Sequence, residues 1–231
     1  MIYITGDTHR DFNCVERFCA RAHTTKEDIL IILGDAGINF MGKPKDDILK
    51  KALSKLPITL FCVHGNHEMR PASIPSYQIE RWHGGEAYVE HDFPSLIFAR
   101  DGQIYDLNGM KTVVIGGAFS VDKAIRIVRH WGWWADEQPS EAIKAEVENN
   151  LAAAEWKVDV VLSHTVPLKY VPREIFTVKL DPSKVDTSTE EWLDRIEDRL
   201  TYNRWYAGHY HTEKKDGRLR LMFNDFEIFG Q

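Results

Sequence analysis

Short runs of consecutive apolar residues recur along the chain, and segments with helical spacing separate them. In the first quarter the runs are 2–5, 29–33 and 58–63. Apolar residues three or four apart follow the first run at 12–22 and the second at 46–56. Runs that are apolar at nearly every position predict parallel strands buried on both faces, joined by helices.

The second half shows shorter strands and tighter turns. Strands are predicted at 96–98, 103–107 and 111–115, with Asp101-Gly102 and Asn108-Gly109 as turns typical of antiparallel hairpins. Asp11 and Ser140 stand where helix N-caps are expected. The remaining elements are helices at 140–156 and 190–200 and strands at 158–162, 205–207 and 219–223.

These elements predict an α/β fold in which two mixed β-sheets pack as a sandwich flanked by helices. The first half should be parallel and the second half more antiparallel. The sequence shows no low-complexity linker, internal repeat or break in composition. We therefore expect a single domain spanning 1–231.

Composition and charge exclude several classes of protein and disfavour two kinds of partner. Hydrophobic residues make up 43% and charged residues 28%, which excludes a disordered, collagen-like or coiled-coil chain. The net charge of −6 makes long nucleic acid an unexpected partner, and no apolar window is long enough to predict a membrane partner. Cys14, Cys19 and Cys62 form no Cys-x-x-Cys motif, and the first residues do not read as a signal peptide. We expect a cytoplasmic protein.

Polar residues follow five of the buried runs at the point where each strand should end. In open α/β sheets, ligands bind in the crevice beyond these carboxyl ends. Asp7 and Asp35 are 28 residues apart and Asp35 and Asn66 are 31 apart, each about one strand–helix–strand unit of roughly 30 residues. The five motifs are Gly6-Asp7-Thr8-His9, Gly34-Asp35, His64-Gly65-Asn66-His67-Glu68, Ser163-His164 and Gly208-His209-Tyr210-His211.

A divalent cation explains why carboxylates, an amide and imidazoles should gather in one crevice. Carboxylates close together repel one another, and a cation offsets that repulsion while accepting the imidazole lone pairs. Nitrogen and oxygen donors without thiolate suit manganese, iron or zinc better than copper(I) or an iron–sulfur cluster. Seven residues with one shared carboxylate would hold two ions about 3.5–4 Å apart.

These five motifs, in this order, resemble those of the calcineurin-like metallophosphoesterase superfamily, in particular its bacterial and phage dinuclear members. The resemblance spans positions 7 to 211. It implies two divalent metal ions (Mn, Fe or Zn), of which manganese is favoured. The implied ligands are Asp7, His9 and His211 for the first metal and Asn66, His164 and His209 for the second, with Asp35 bridging the two.

The same resemblance implies a reaction. A metal-bridging hydroxide would attack the phosphorus of a phosphate mono- or diester, with His67 as the catalytic histidine that binds or protonates the departing oxygen. The sequence does not separate the classes of phosphate ester. Two other functions stay open: a non-catalytic protein-interaction scaffold on the same fold, and a nuclease of the same superfamily.

The chain departs from the protein-phosphatase branch of this superfamily in its second motif. That branch continues to an Asp and an Arg where this chain has Ile38 and Asn39, and its missing acid orients the catalytic histidine. Some other group must hold His67, and the sequence does not rank Glu68 against His64.

Two arginines are candidate substrate-binding residues. Arg10 stands where that branch usually has glycine, one residue from a predicted metal ligand, and a guanidinium there could hold a phosphate oxygen. The segment 116–134 resembles a loop in bacterial and phage members that overhangs the site. Arg126 in this segment could reach substrate, whereas its three tryptophans favour a packed cluster over a base-stacking platform.

Overall fold

The computed structural model describes residues 1–176 and 184–231. The α-helices are α1 (Asn13–Ala22), α2 (Lys45–Leu53), α3 (Lys123–Val128), α4 (Glu141–Ala153) and α5 (Ser188–Glu197). The strands are β1 (Ile2–Thr5), β2 (Ile29–Ile32), β3 (Thr59–Cys62), β4 (Tyr77–Trp82), β5 (Gly85–Glu90), β6 (Leu96–Ala99), β7 (Ile104–Leu107), β8 (Met110–Ile115), β9 (Val160–Ser163), β10 (Arg204–Ala207), β11 (Lys214–Asp216), β12 (Leu219–Leu221) and β13 (Glu227–Ile228).

The strands form two mixed sheets, which confirms the predicted fold class. The first sheet has the order β13-β1-β2-β3-β6-β5-β4, and the second has the order β11-β12-β10-β9-β8-β7. In the first, β1, β2, β3 and β6 run parallel. In the second, β8, β9, β10 and β12 run parallel. Antiparallel pairs lie towards the edges of both sheets.

Two details of the predicted topology were wrong. The second half is not more antiparallel than the first, because its central strands arrive through crossovers and pair in parallel. Asp101-Gly102 does not close a hairpin, because β6 belongs to the first sheet and β7 to the second. The turn at Asn108-Gly109 does close one, between β7 and β8, and both of its residues have positive φ as type I′ hairpin turns require.

The central strands are apolar at successive positions because their two faces bury different side chains. Ile31 and Leu33 pack between the two sheets, together with Phe61 and Leu162. Their neighbour Ile32 packs on the outer face of the first sheet with residues of α1 and α2. The outer face of the second sheet is covered in the same way by α4 and α5. The result is four layers, with helices on both outer faces of the sandwich.

The four predicted helices begin within two residues of their predicted starts, and α3 was not predicted. Ser140 caps α4, since its Oγ accepts the N–H of Ile143 at 3.3 Å. Phe12, not Asp11, occupies the cap position of α1, and the Asp11 carboxylate accepts the N–H of Asn13 at 3.0 Å. In the described part of the chain, no helix combines the length and the apolar content needed to cross a membrane.

A buried ion pair joins α2 to the end of β5. Lys50 Nζ donates to Glu90 Oε2 at 2.5 Å, and both side chains are almost fully enclosed. The ammonium also lies 4.9 Å from the centroid of the Tyr77 ring. Removal of one partner would leave the other charge without compensation in the interior.

We expect Lys50→Met to lower the free energy of unfolding by about 3–5 kcal/mol, because it leaves the Glu90 carboxylate buried and unpaired. Lys51→Met, at the exposed neighbouring position, should change it by less than about 0.5 kcal/mol. Urea unfolding measures both. The double variant Lys50→Met/Glu90→Leu should recover most of the loss, and equal losses for the single and double variants would contradict this account.

Candidate metal centre

The ends of five parallel strands meet at one edge of the sandwich. In the first sheet, Thr5 pairs with Ile32 and Ile32 pairs with Cys62. In the second sheet, Ser163 pairs with Ala207. The loops that follow these strands therefore leave the two sheets at the same level. They carry every residue of the predicted ligand set.

The first cluster consists of Asp7, His9 and His211. The Nε2 atoms of the two histidines are 2.7 Å apart, and they lie 3.7 Å and 3.4 Å from Asp7 Oδ2. The Asp7 carboxylate is held by the backbone N–H of His209 at 3.0 Å. The hydrogen bond with Asp7 raises the pKa of His211.

Asp35 links this cluster to a second one. Its Oδ2 lies 4.0 Å from His9 Nδ1, and its Oδ1 lies 3.6 Å from His164 Nε2. Burial alone would raise the pKa of Asp35, but the His164, His67 and His9 rings outweigh it and lower the pKa. One carboxylate thus faces histidines of both clusters.

The second cluster is built around His164. Its Nδ1 donates to the carbonyl oxygen of Leu33 at 2.8 Å, so Nε2 carries the lone pair. This Nε2 lies 2.8 Å from Oδ1 of Asn66, whose amide nitrogen donates to Ser120 Oγ at 2.8 Å. The His209 ring packs against His164 with centroids 4.9 Å apart. Burial holds the pKa of His209 well below its ordinary value, and neighbouring His164 adds to the effect.

This donor set fits divalent cations. In neutral His164 the Nε2 lone pair faces the Asn66 Oδ1 lone pair, and a cation between two such donors removes their repulsion. The Nε2 atoms of His9 and His211 also face each other, beside Asp7. Donors that bind one ion at about 2.0–2.2 Å lie roughly 3 Å from each other, close to the spacing of both pairs.

Backbone conformation directs the ligands into the crevice. His9, Asp35, His209 and His211 all have positive φ, between 45° and 68°. Asp and His enter this left-handed region more readily than most residues, at about 1–3 kcal/mol each. Four candidate ligands thus adopt a strained backbone conformation at the points where their side chains turn off a strand end.

Glycines next to the ligands keep space for them. A Cβ on Gly208 would overlap Oδ1 of Asp7, and one on Gly65 would overlap Oδ1 of Asp35. A Cβ on Gly34, which also has a φ of 104°, would overlap Nδ1 of His164. These are the glycines that precede Asp, His or Asn in the sequence motifs.

His67 lies beside the clusters rather than within a facing pair. Its backbone N–H donates to Asp35 Oδ1 at 2.7 Å, and its ring meets the His9 ring edge-on at 5.3 Å. Nδ1 accepts from Arg126 Nη2 at 3.2 Å. Burial lowers the pKa of His67, and the negative charge of Asp35 partly opposes this.

The other groups considered from sequence are placed as follows. Arg10 points to α2, where its Nη1 donates to Asp46 at 2.8 Å and to the Gly37 carbonyl at 2.6 Å. Glu68 is fully buried; this burial, with the Asp35 charge, raises its pKa to about 8. The His64 ring is also buried, and neither of its nitrogens is hydrogen-bonded. Neither Glu68 nor His64 forms a hydrogen bond to the His67 ring in the described structure.

Sequence reasoning missed two groups that orient ligands. Ser120 lies in the segment 116–134 and directs the Asn66 amide so that its oxygen faces the site. The Leu33 carbonyl directs His164 but is a backbone atom, so no residue type marks it. The only available signal for Ser120 was its place in a loop that the resemblance puts near the site.

The two-sheet fold and the Asp, Asn and His donors at its strand ends define a metal-dependent hydrolase. The calcineurin-like phosphoesterase family model matches residues 1–213, and the chain belongs to that family. It is therefore, in general terms, a metal-dependent phosphoesterase.

Comparison with solved structures supports the fold. The crystal structure of TT1561 of Thermus thermophilus has a TM-score of 0.51 at 13% identity, covering 96% of this chain and 87% of that one. Phosphopantetheinyl hydrolase from Mycobacterium tuberculosis has a TM-score of 0.49 at 15% identity, with coverage of 96% and 87%. The second likeness is too low to carry an argument. No curated protein sequence matches this chain.

We expect Gly208→Ala and Gly65→Ala to lower metal content, because each added methyl group displaces a candidate carboxylate ligand. Gly109→Ala is the control: its Cβ meets open space in the β7–β8 turn, so it should lose some stability and keep its metal. Elemental analysis of the purified proteins measures the effect. Full metal content in both site variants would show that these glycines do not protect the site.

Proposed function

We propose that the protein is a dinuclear metal-dependent phosphoesterase that hydrolyses a phosphate mono- or diester. The observation that carries the proposal is the presence of two clusters of donors with Asp35 between them. Asp7, His9 and His211 would hold one ion and Asn66, His164 and His209 the other. Asp35, which faces both clusters, would bridge them. Nitrogen and oxygen donors without thiolate suit manganese, iron or zinc, and manganese is the metal that we favour.

When bound, two divalent cations would lower the pKa of a water molecule, orient the phosphate and neutralise charge on its oxygens. The protein would supply position and a donor to the departing oxygen. Asp35 holds the backbone of His67 beside the candidate metal ligands, and the His67 ring is partly exposed, so that it would be accessible to a leaving group. No Ser or Cys nucleophile is required, because water attacks phosphorus directly.

The chain's substrate is proposed to be a small or accessible phosphate ester. His9 and His211 are partly exposed at the mouth of the site, which favours open access. Arg10 is already paired with Asp46, so we give it no substrate contact in this proposal. Three free cysteines agree with a reducing, cytoplasmic setting.

A non-catalytic scaffold and a nuclease are the alternatives. A scaffold has no need of the ligand set, whereas here all seven donors are present on the loops that follow the strand ends. Long nucleic acid is disfavoured by the net charge of −6. A scaffold would purify with little metal, and a nuclease would cleave polynucleotides faster than small esters.

We expect manganese-loaded protein to contain close to two ions per chain and to hydrolyse an aryl phosphate or a bis-aryl phosphate diester. Asp35→Asn should abolish this activity and reduce metal content, because a neutral amide cannot offset the charge of two cations. Asp92→Asn, at an exposed position outside the site, is the control and should change neither. Metal-replete protein that is inert towards a broad panel of phosphate esters would refute the proposal.

The variant His67→Ala tests whether His67 acts on the leaving group or binds a metal ion. We expect this variant to retain both ions and to lose roughly 100- to 10,000-fold in kcat, because the departing oxygen loses the group that binds or protonates it. Elemental analysis and steady-state kinetics measure the two quantities independently. Loss of one ion per chain would instead make His67 a ligand, in keeping with its position beside His9 and Asp35.

A further inference from the structure

The contacts of His67 show which group holds its ring in a chain that has Ile38 in place of an acid. The acid that orients the histidine in the protein-phosphatase branch is replaced here by an apolar side chain that is fully buried. The hydrogen bond to the His67 ring comes instead from Arg126, at 3.2 Å on Nδ1. A guanidinium can only donate, so this contact requires a lone pair on Nδ1.

A second charge acts on the opposite side of the ring. Asp122 Oδ1 lies 4.0 Å from His67 Nε2, and its Oδ2 lies 3.6 Å from Arg126 Nε. A cation at Nδ1 and an anion near Nε2 both favour the tautomer with its proton on Nε2. Nε2 is the ring nitrogen that Arg126 does not contact.

The position of Arg126 is fixed from several directions. The side chain is buried, with 4% of its surface exposed, and its guanidinium lies 5.8 Å from the centroid of the Phe40 ring. Nη1 is covered by protein and has no hydrogen-bond partner, so it does not face a space that substrate could enter. This burial argues against the direct phosphate contact expected from sequence.

The segment that carries Arg126 is anchored at both ends by one carboxylate. Buried Glu137 accepts the backbone N–H of Ser120 at 3.2 Å and the indole N–H of Trp133 at 2.8 Å. Ser120 in turn accepts from Asn66, a candidate metal ligand. The geometry of Arg126 is therefore tied to that of the metal centre.

We propose that Arg126 is the positioning residue of the catalytic histidine: it fixes the His67 ring and keeps its proton on Nε2, ready for the departing oxygen. The role of His67 in turnover rests on the proposed function, but the tautomer does not. In the reaction, water forms the new bond to phosphorus as the bond from phosphorus to the leaving oxygen breaks. The Nε2–H donates a hydrogen bond to that oxygen and stays on the ring, and the leaving group takes its proton from water.

The test combines ring-nitrogen NMR with kinetics. Side-chain ¹⁵N spectra of metal-free and Zn²⁺-loaded protein at alkaline pH, with His67→Gln for assignment, should show a protonated Nε2 and an unprotonated Nδ1 at His67. Arg126→Met keeps the aliphatic stem without the donors, and it should give a mixture of tautomers. Arg129→Met, at the exposed end of the same helix, is the control and should leave the His67 signals unchanged.

The kinetic arm distinguishes stabilisation of the leaving group from general damage. In Arg126→Met we expect kcat to fall roughly 10- to 100-fold for phenyl phosphate, whose basic leaving oxygen needs a hydrogen-bond donor. For p-nitrophenyl phosphate, whose leaving group departs without one, the loss should be much smaller, with little change in KM for either. Equal losses on both esters, or losses in KM alone, would overturn the positioning role.

The NMR spectra of the wild-type protein test the inference even if a variant does not fold or no hydrolysis is detected. A wild-type His67 with its proton on Nδ1 overturns it without any substitution, and so does an unchanged tautomer in Arg126→Met. If no phosphate ester is hydrolysed but the spectra behave as described, the proposed function fails and the arginine–histidine arrangement stands.

Discussion

Two buried carboxylates, Asp7 and Asp35, impose the constraint on which the site depends. Their side chains are 0% and 2% exposed, and in the described part of the chain no lysine or arginine pairs with either. Two anions this close and this enclosed are unfavourable unless positive charge lies between or beside them. Histidines at strand ends surround them instead, and imidazole lone pairs add to the need for a cation. The fold thus encloses two carboxylates whose negative charge a bound metal ion would compensate.

The sequence predicted the part of this arrangement that follows from strand ends. Asp7, Asp35 and Asn66 each come directly after a run that is buried on both faces, and parallel pairing brings the ends of such strands to one level. The central strands could be predicted because both of their faces are apolar. The exposed edge strand β4 was not predicted, because apolar and polar residues do not alternate throughout it.

What could not be predicted depends on contacts across long separations in sequence. Arg126 reaches His67 over 59 residues and Ser120 reaches Asn66 over 54, and neither has a residue type or spacing that marks a partner. Arg10 is a residue that the sequence placed in the site by its position next to His9. In the structure its guanidinium donates instead to Asp46 on α2. The parallel pairing at the centre of the second sheet could not be predicted either, because a crossover connection has no short sequence motif comparable to that of a tight turn.

The segment 116–134 lies outside both sheets, yet it holds His67 through Arg126 and Asn66 through Ser120. The candidate metal ligands are fixed by strand register, because a shift of one residue would exchange the two faces of a strand. The residues of this segment that contact His67 and Asn66 are under no such restriction. Under the proposed mechanism, replacement of this one segment would change how readily poor leaving groups depart and would leave the ligands of the metal centre unchanged.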